Sequence, residues 1–414
     1  MKRAKQLLTL ATAAVALVSL GWGGTGGCGS GSSSGGGGNT SLASLVVKNY
    51  ADIALAAYQD SLAAAEELHD AIDVFVADPT EEKFSAAREA WIASREPYEQ
   101  TEAYRFYNGP IDGDDGNPEI LINAWPLDEV YIDYVEGDAD SGIVNDTSID
   151  VTEEILVDLN GKDSEATLST GYHAIEFLLW GQDLNANPED TGLRAFTDYV
   201  DGGTNDHQDR RRTYLETVAH LLVEHLGQVV DAWKTGVTTN YRAEFLSVDT
   251  NEALRRIIVG LGSFASGELA GQRISVALVT KDQEDEHSCF SDNTNRDLRQ
   301  GFQSIKNIYF GTYTRTDGSS VGDGNGLDDL IEQADPTTNA QIKVLLDNAE
   351  TALDGVDAEA KAGVHFDQQI LGGPADPDHI RIQQAIDALN AFTDALSTAA
   401  DKLGVDINLD SDGA

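Results

Sequence analysis

The chain has 414 residues, with 27 Lys+Arg against 71 Asp+Glu and a net charge of −44. That balance excludes a nucleic-acid binder, which needs a basic surface to neutralise phosphates, and disfavours adsorption to anionic headgroups. It favours solubility and the attraction of cations, and an apolar fraction of 41% is enough for a sizeable core.

The first segment is a targeting signal. Lys2, Arg3 and Lys5 precede a mostly apolar stretch, Leu7 to Leu20, which is too short to span a bilayer. Thr25-Gly26-Gly27-Cys28 then resembles a bacterial lipoprotein box, with Thr25 where Leu is usual. Residues 1–27 are therefore expected to be removed and Cys28 to carry lipid. Residues 28–40 form a Gly/Ser tether. With Cys28 lipidated, Cys289 has no intramolecular partner, so the fold is not a disulfide scaffold.

The body reads as helices joined by acidic loops. Apolar residues at spacings of three and four predict one long helix over Ser41–Ala77. Asp78-Pro79-Thr80 stops it and starts a second helix, whose face carries Phe84, Trp91, Arg95, Tyr98, Glu102 and Phe106. Residues 108–160 are rich in Gly, Asp and Pro, with an apolar island at Leu121–Val135 and a short helix at Thr152–Leu159. Further helices are expected from Thr170 to Gly181 and over Asp206–Lys234, Thr250–Phe264, Ser266–Lys281 and Thr294–Phe310. The last three fall at Leu327–Ala334, Asn339–Leu353 and Pro377–Leu403. No strand alternation appears, so the class is all-α. Two helical bundles are expected, 41–238 and 239–414, divided near Thr235–Asn240.

The sharpest chemical feature is Gly171-Tyr172-His173-Ala174-Ile175-Glu176. His173 and Glu176, three apart, share one helix face and can both reach a metal ion. An ordinary helical ion pair has the same spacing, and two ligands do not complete a site. Glu102, Asp128, Glu268 and Arg273 lie amid apolar neighbours and are candidates for the remaining lining, with Arg273 a charge partner; each could equally be a structural buried ion pair. There is no His-Glu-x-x-His helix and no Gly-x-Ser-x-Gly elbow. Asp112–Asn123 starts like a calcium loop but ends in Asn123 rather than Glu. Asp323-Gly324-Asn325-Gly326 reads as a turn, and the loop Glu286–Phe290 as structural.

In order along the chain, Arg95–Phe106, Asn123–Asp128, Gly171–Glu176, Gly267–Arg273, and His287–Arg299 followed by Tyr309–Tyr313 resemble blocks of the imelysin-like family, in particular an iron-regulated branch. The similarity covers about residues 42–400. The resemblance implies two bundles with a site near their interface, in an exported bacterial protein linked to iron supply. Gly171, His173 and Glu176 are its signature residues. It leaves several functions open. The first is an envelope lipoprotein that binds iron, another divalent metal or an iron-loaded ligand. The second is a metallopeptidase in which His173 and Glu176 hold a metal that activates water; its general base and third ligand are not identifiable. The third is a structural or carbohydrate-binding envelope protein. Location is expected on the periplasmic face of the outer membrane or on the cell surface, held by the lipid anchor.

Overall fold

The computed structural model describes residues 41–113, 117–184 and 191–407. The signal segment, Cys28 and the tether lie outside them. Sixteen α-helices are present among the described residues. The long ones are α1 (Leu42–Ala77), α2 (Glu81–Glu99), α8 (Gln208–Trp233), α10 (Thr250–Gly262), α12 (Thr294–Phe310), α14 (Pro336–Lys361) and α16 (Pro377–Leu403). Between α2 and α8 run the short α3 (Glu119–Ile122), α4 (Glu129–Ile132), α5 (Gly142–Asn145) and α6 (Glu153–Leu159), then α7 (Gly171–Trp180). The remaining short helices are α9 (Tyr241–Phe245), α11 (Val276–Thr280), α13 (Leu327–Ala334) and α15 (Phe366–Gln369).

The helix ends follow local chemistry. Thr80 caps α2, its hydroxyl accepting from the Lys83 N–H, with Glu81 and Glu82 in the first turn. Asp335 and Asp376 cap α14 and α16 ahead of Pro336 and Pro377, whose missing N–H costs nothing at the first helical position.

Helices α1, α2, α7 and α8 pack on one another as one bundle. Helices α10, α12, α14 and α16 form the second. The two share a face along α2 and α12 and along α1 and α10. At that face Arg296 of α12 grips Glu96 of α2 with two bonds of 2.7 Å and reaches Asp357 of α14 at 2.9 Å. The all-α, two-bundle expectation matches this architecture.

Several expected boundaries are corrected. The second helix stops at Glu99, and Phe106 lies beyond it at φ 67°. The pair expected at 250–264 and 266–281 is one continuous helical run, α10 to α11, joined by a π-helix at Ser263–Ser275. Helix α14 is longer than Asn339–Leu353 at both ends. A two-residue hairpin, β1 (Tyr313–Thr314) with β2 (Ser320–Val321), was too short to show alternation. Buried Asn49 of α1 pins that region, donating to the Gly311 and Asn325 carbonyls at 2.7 and 3.0 Å.

Candidate functional site

Helix α7 is buried at every position, from Gly171 to Trp180. A helix apolar all round belongs to a core, so the two polar residues it carries face protein rather than solvent. Its start is fixed by Gly171, at φ +87°, where a Cβ would stand 2.6 Å from the Ile122 carbonyl oxygen. Asn160 secures the approach, its Oδ1 accepting from the N–H groups of Ser169 and Thr170. The Trp91 indole donates to the Tyr172 carbonyl at 2.9 Å, tying α7 to α2.

His173 Nδ1 and Glu176 Oε2 are 3.0 Å apart. The other oxygen of Glu176 accepts from both the N–H and the hydroxyl of Ser291, at 3.0 and 2.7 Å. Glu176 is thus committed to orienting the His173 ring and docking the loop before α12. His173 Nε2 is buried and has no hydrogen-bond partner among the described residues. Burial, with His287 adding to it, holds the His173 imidazole well below its ordinary pKa. Burial pushes the Glu176 carboxyl up to about 8.

The His173 ring meets His287 edge-to-face at 4.8 Å between centroids, and Trp125 flanks His287 at 5.9 Å. His287 Nδ1 lies 2.8 Å from Asp297 Oδ2, and Ser288 donates to the same oxygen at 2.5 Å. Asp297 also accepts from Arg95 at 3.0 and 3.3 Å and from Asn293 at 3.1 Å. Burial, and next Arg273, bring His287 down to about 4.

A ladder of charge continues away from the histidines. Arg95 pairs with Glu99 one turn along α2. Arg273 donates to the other Glu99 oxygen at 2.7 Å, to Glu102, and to Glu268 at 2.9 Å. Arg105 completes it, bonding Glu102 at 2.8 Å and Glu119 at 3.1 Å. Glu268 and Arg273 are five apart, a separation that shares a face on the π-helix because its bonds run i→i+5. Burial acts to raise Glu102, but Arg105 and Arg273 prevail and hold it at about 2, whereas burial carries Glu99 to about 8 against the pull of Arg273.

The structure therefore brings together His173, Glu176, Glu102, Glu268 and Arg273 from the expected set. Asp128 stands apart, exposed at the start of α4. Arg95, Glu99, Glu119, Asn123, His287, Ser291 and Asp297 complete the site. The loop Glu286–Phe290, expected to be structural, supplies the second imidazole.

Donor atoms of Glu99, His287 and Asp297 lie within 4.8 Å of one another. Much of their capacity is already taken by Arg95 and Arg273. Among the described residues, His173 Nε2 and Glu102 Oε1 of this site are buried and have no hydrogen-bond partner. Imidazole nitrogen with carboxylate oxygen suits iron and other first-row divalent cations. The residues fit such an ion with His173 as the open nitrogen ligand and Glu176 as the carboxylate behind a histidine.

An all-α protein of two bundles with a buried histidine–carboxylate–arginine centre at their shared face is thus defined. The imelysin family profile matches residues 54–396, and the chain belongs to that family. It is 26% identical to the iron-regulated protein A of Synechococcus elongatus over 322 residues, 75% of each protein. A crystal structure from Parabacteroides distasonis, described as a putative iron-regulated protein A precursor, superposes with a TM-score of 0.64 at 20% identity, over 87% of this chain and 95% of that one. An imelysin-like protein from Psychrobacter arcticum superposes with a TM-score of 0.61 at 13% identity, over 88% and 96%. These two likenesses concern the fold.

Proposed function

We propose that this protein is an envelope lipoprotein that binds iron, or an iron-loaded ligand, between its two bundles in the course of iron acquisition. The observation that carries the reading is His173 Nε2: a buried imidazole nitrogen with no partner, held in place by Glu176 and set beside His287. A buried polar atom left unsatisfied is costly, and a cation would satisfy it. The relative named as iron-regulated supports iron as the first ion to test. The acidic surface would raise the local concentration of any cation. Cys28 and the Gly/Ser run would hold the body at a membrane, multiple acyl chains anchoring firmly where one would not.

The test is metal analysis and calorimetry of purified wild type beside His173→Ala, with and without air, and a peptide-cleavage assay on the same samples. Bound iron that His173→Ala loses, with helix content unchanged and no cleavage, supports the reading. Metal-dependent cleavage lost in the same variant would move it to the peptidase alternative. No bound metal and no iron-dependent rise in melting temperature would remove it. Mass spectrometry of the mature chain tests the lipid on Cys28.

A further inference from the structure

Two histidines of the first bundle meet in contact with solvent, each one turn ahead of a carboxylate on its own helix. His69 and Asp73 lie on α1, and His220 and Glu224 on α8. Both pairs are four apart, so each shares one helix face. Helices α1 and α8 pack together, and the two imidazole rings stand 5.5 Å apart between centroids. A third helix, α6, packs on α8 and brings Glu153 to the same place.

The distances leave these groups close but uncommitted. His220 Nε2 is 3.5 Å from Glu153 Oε1, and His69 Nε2 is 3.5 Å from Asp73 Oδ1. A normal hydrogen bond to nitrogen is about 2.7–3.2 Å long. Among the described residues no lysine or arginine pairs with Glu153, Glu224 or Asp73. Donor atoms of Glu153, His220 and Glu224 all lie within 4.8 Å of one another. Two ligands about 2.1 Å from one ion stand up to about 4.2 Å apart, so small turns of these exposed side chains close the set. Two surface ion pairs are the plain alternative, but they need both rings protonated, which sets like charges side by side for little gain. One cation serves both rings and all the carboxylates. Imidazole with carboxylate suits zinc and copper, which bind nitrogen more tightly than earlier first-row ions do.

We propose that Glu153, His220 and Glu224, with His69 as the second imidazole, form a surface site for a late first-row divalent cation, zinc or copper(II), separate from the buried centre at His173. Asp73 stands where a carboxylate orients a ligating ring. The ion fastens α6 to α1 and α8. Helix α6 runs into Asn160, which secures the approach to α7, so the clamp acts on the segment that places His173.

The experiment is titration calorimetry of zinc chloride into the purified protein, with excess calcium chloride present to occupy oxygen-only sites on the acidic surface. Wild type should show a zinc-binding event that calcium does not suppress. Losing even an outer partner of a ligand costs about 10–100-fold, so His220→Ala, Glu224→Gln and His69→Ala should each weaken zinc binding at least about tenfold. All three positions are at the surface, and helix content should not change. His173→Ala should keep the event, whatever becomes of its iron binding. With copper(II) chloride, paramagnetic resonance should show coupling to two nitrogens in wild type and to one in His69→Ala. The proposal is overturned if wild type takes no zinc in the presence of calcium. It is equally overturned if His220→Ala and Glu224→Gln bind as tightly as wild type, since zinc is then held by the acidic surface at large. Loss of the event in His173→Ala alone would assign the zinc to the buried centre and overturn it too. An unchanged affinity and nitrogen coupling in His69→Ala would overturn the second imidazole.

Discussion

Gly171 does two things that no other residue can do together. It adopts a positive φ and it leaves room for the Ile122 carbonyl. Gly171→Ala should cost about 3 kcal/mol or more, read as a lower urea midpoint with an unchanged slope. Arg273 is the hinge of the charge ladder, fully buried and shared by Glu99, Glu102 and Glu268. Arg273→Met would strand two buried carboxyls and should cost about 3–5 kcal/mol, while Arg273→Met with Glu99→Gln and Glu102→Gln together should recover most of it. Glu268→Gln should cost under about 1 kcal/mol, because Glu268 is partly solvated. Of this site, His173 and Glu176 were readable from spacing, since a helix repeats, and Gly171 from the family resemblance. The second imidazole was not: His287 reaches the site through Asp297, whose guanidinium partner Arg95 lies 202 residues away. No local pattern carries a contact of that range. Asp128 misled because flanking Trp125 and Leu127 suggested burial, whereas its own side chain faces out.

Helix α7 and the π-helix show why periodicity served one and failed the other. A ten-residue apolar run closed by Thr170 and Gly181 can only be a short buried helix. The run Ser263–Ser275 contains three Ser and two Gly, which hold the α repeat weakly, and its i→i+5 bonds shift the phase of the apolar stripe. A stripe read at 3.6 residues per turn therefore looks like two helices. The loop 283–292 behaves differently again, because Glu284, Glu286 and Asp292 titrate out of range. Burial and like charge raise Asp292 to about 8, and Glu284 to about 7, from the range near 4 of an unfolded carboxyl. The folded state then holds protons that the unfolded state has released. Stability is full below about pH 4 as far as these groups are concerned and falls as pH rises to about 8. Asp292→Asn should flatten that fall, as measured by urea unfolding at several pH values.

A net charge of −44 repels itself, and the folded body concentrates it. Raising sodium chloride from about 0.02 M to about 0.5 M should raise the melting temperature, as the screening length shrinks from about 20 Å to about 4 Å. Of the ion pairs that cross between the bundles, Arg95 with Asp297 and Arg273 with Glu99 and Glu102 are shielded from this effect by burial. They also bind together the segments on either side of the exposed turn 234–239. Arg95 with Asp297, Arg273 with Glu99 and Glu102, Arg296 with Glu96, Arg242 with Asp52 and Arg315 with Asp60 all join one side of that turn to the other. The backbone there is dispensable in a way the contacts are not. A chain severed between Gly236 and Val237 should give two fragments that each fail to fold alone, because each retains buried charges without their counter-ions, yet that assemble into one native heterodimer when produced together. Co-purification of the pieces, with thermal unfolding as a single transition, would display fragment complementation across a nick in a protein whose centre is stitched from both ends.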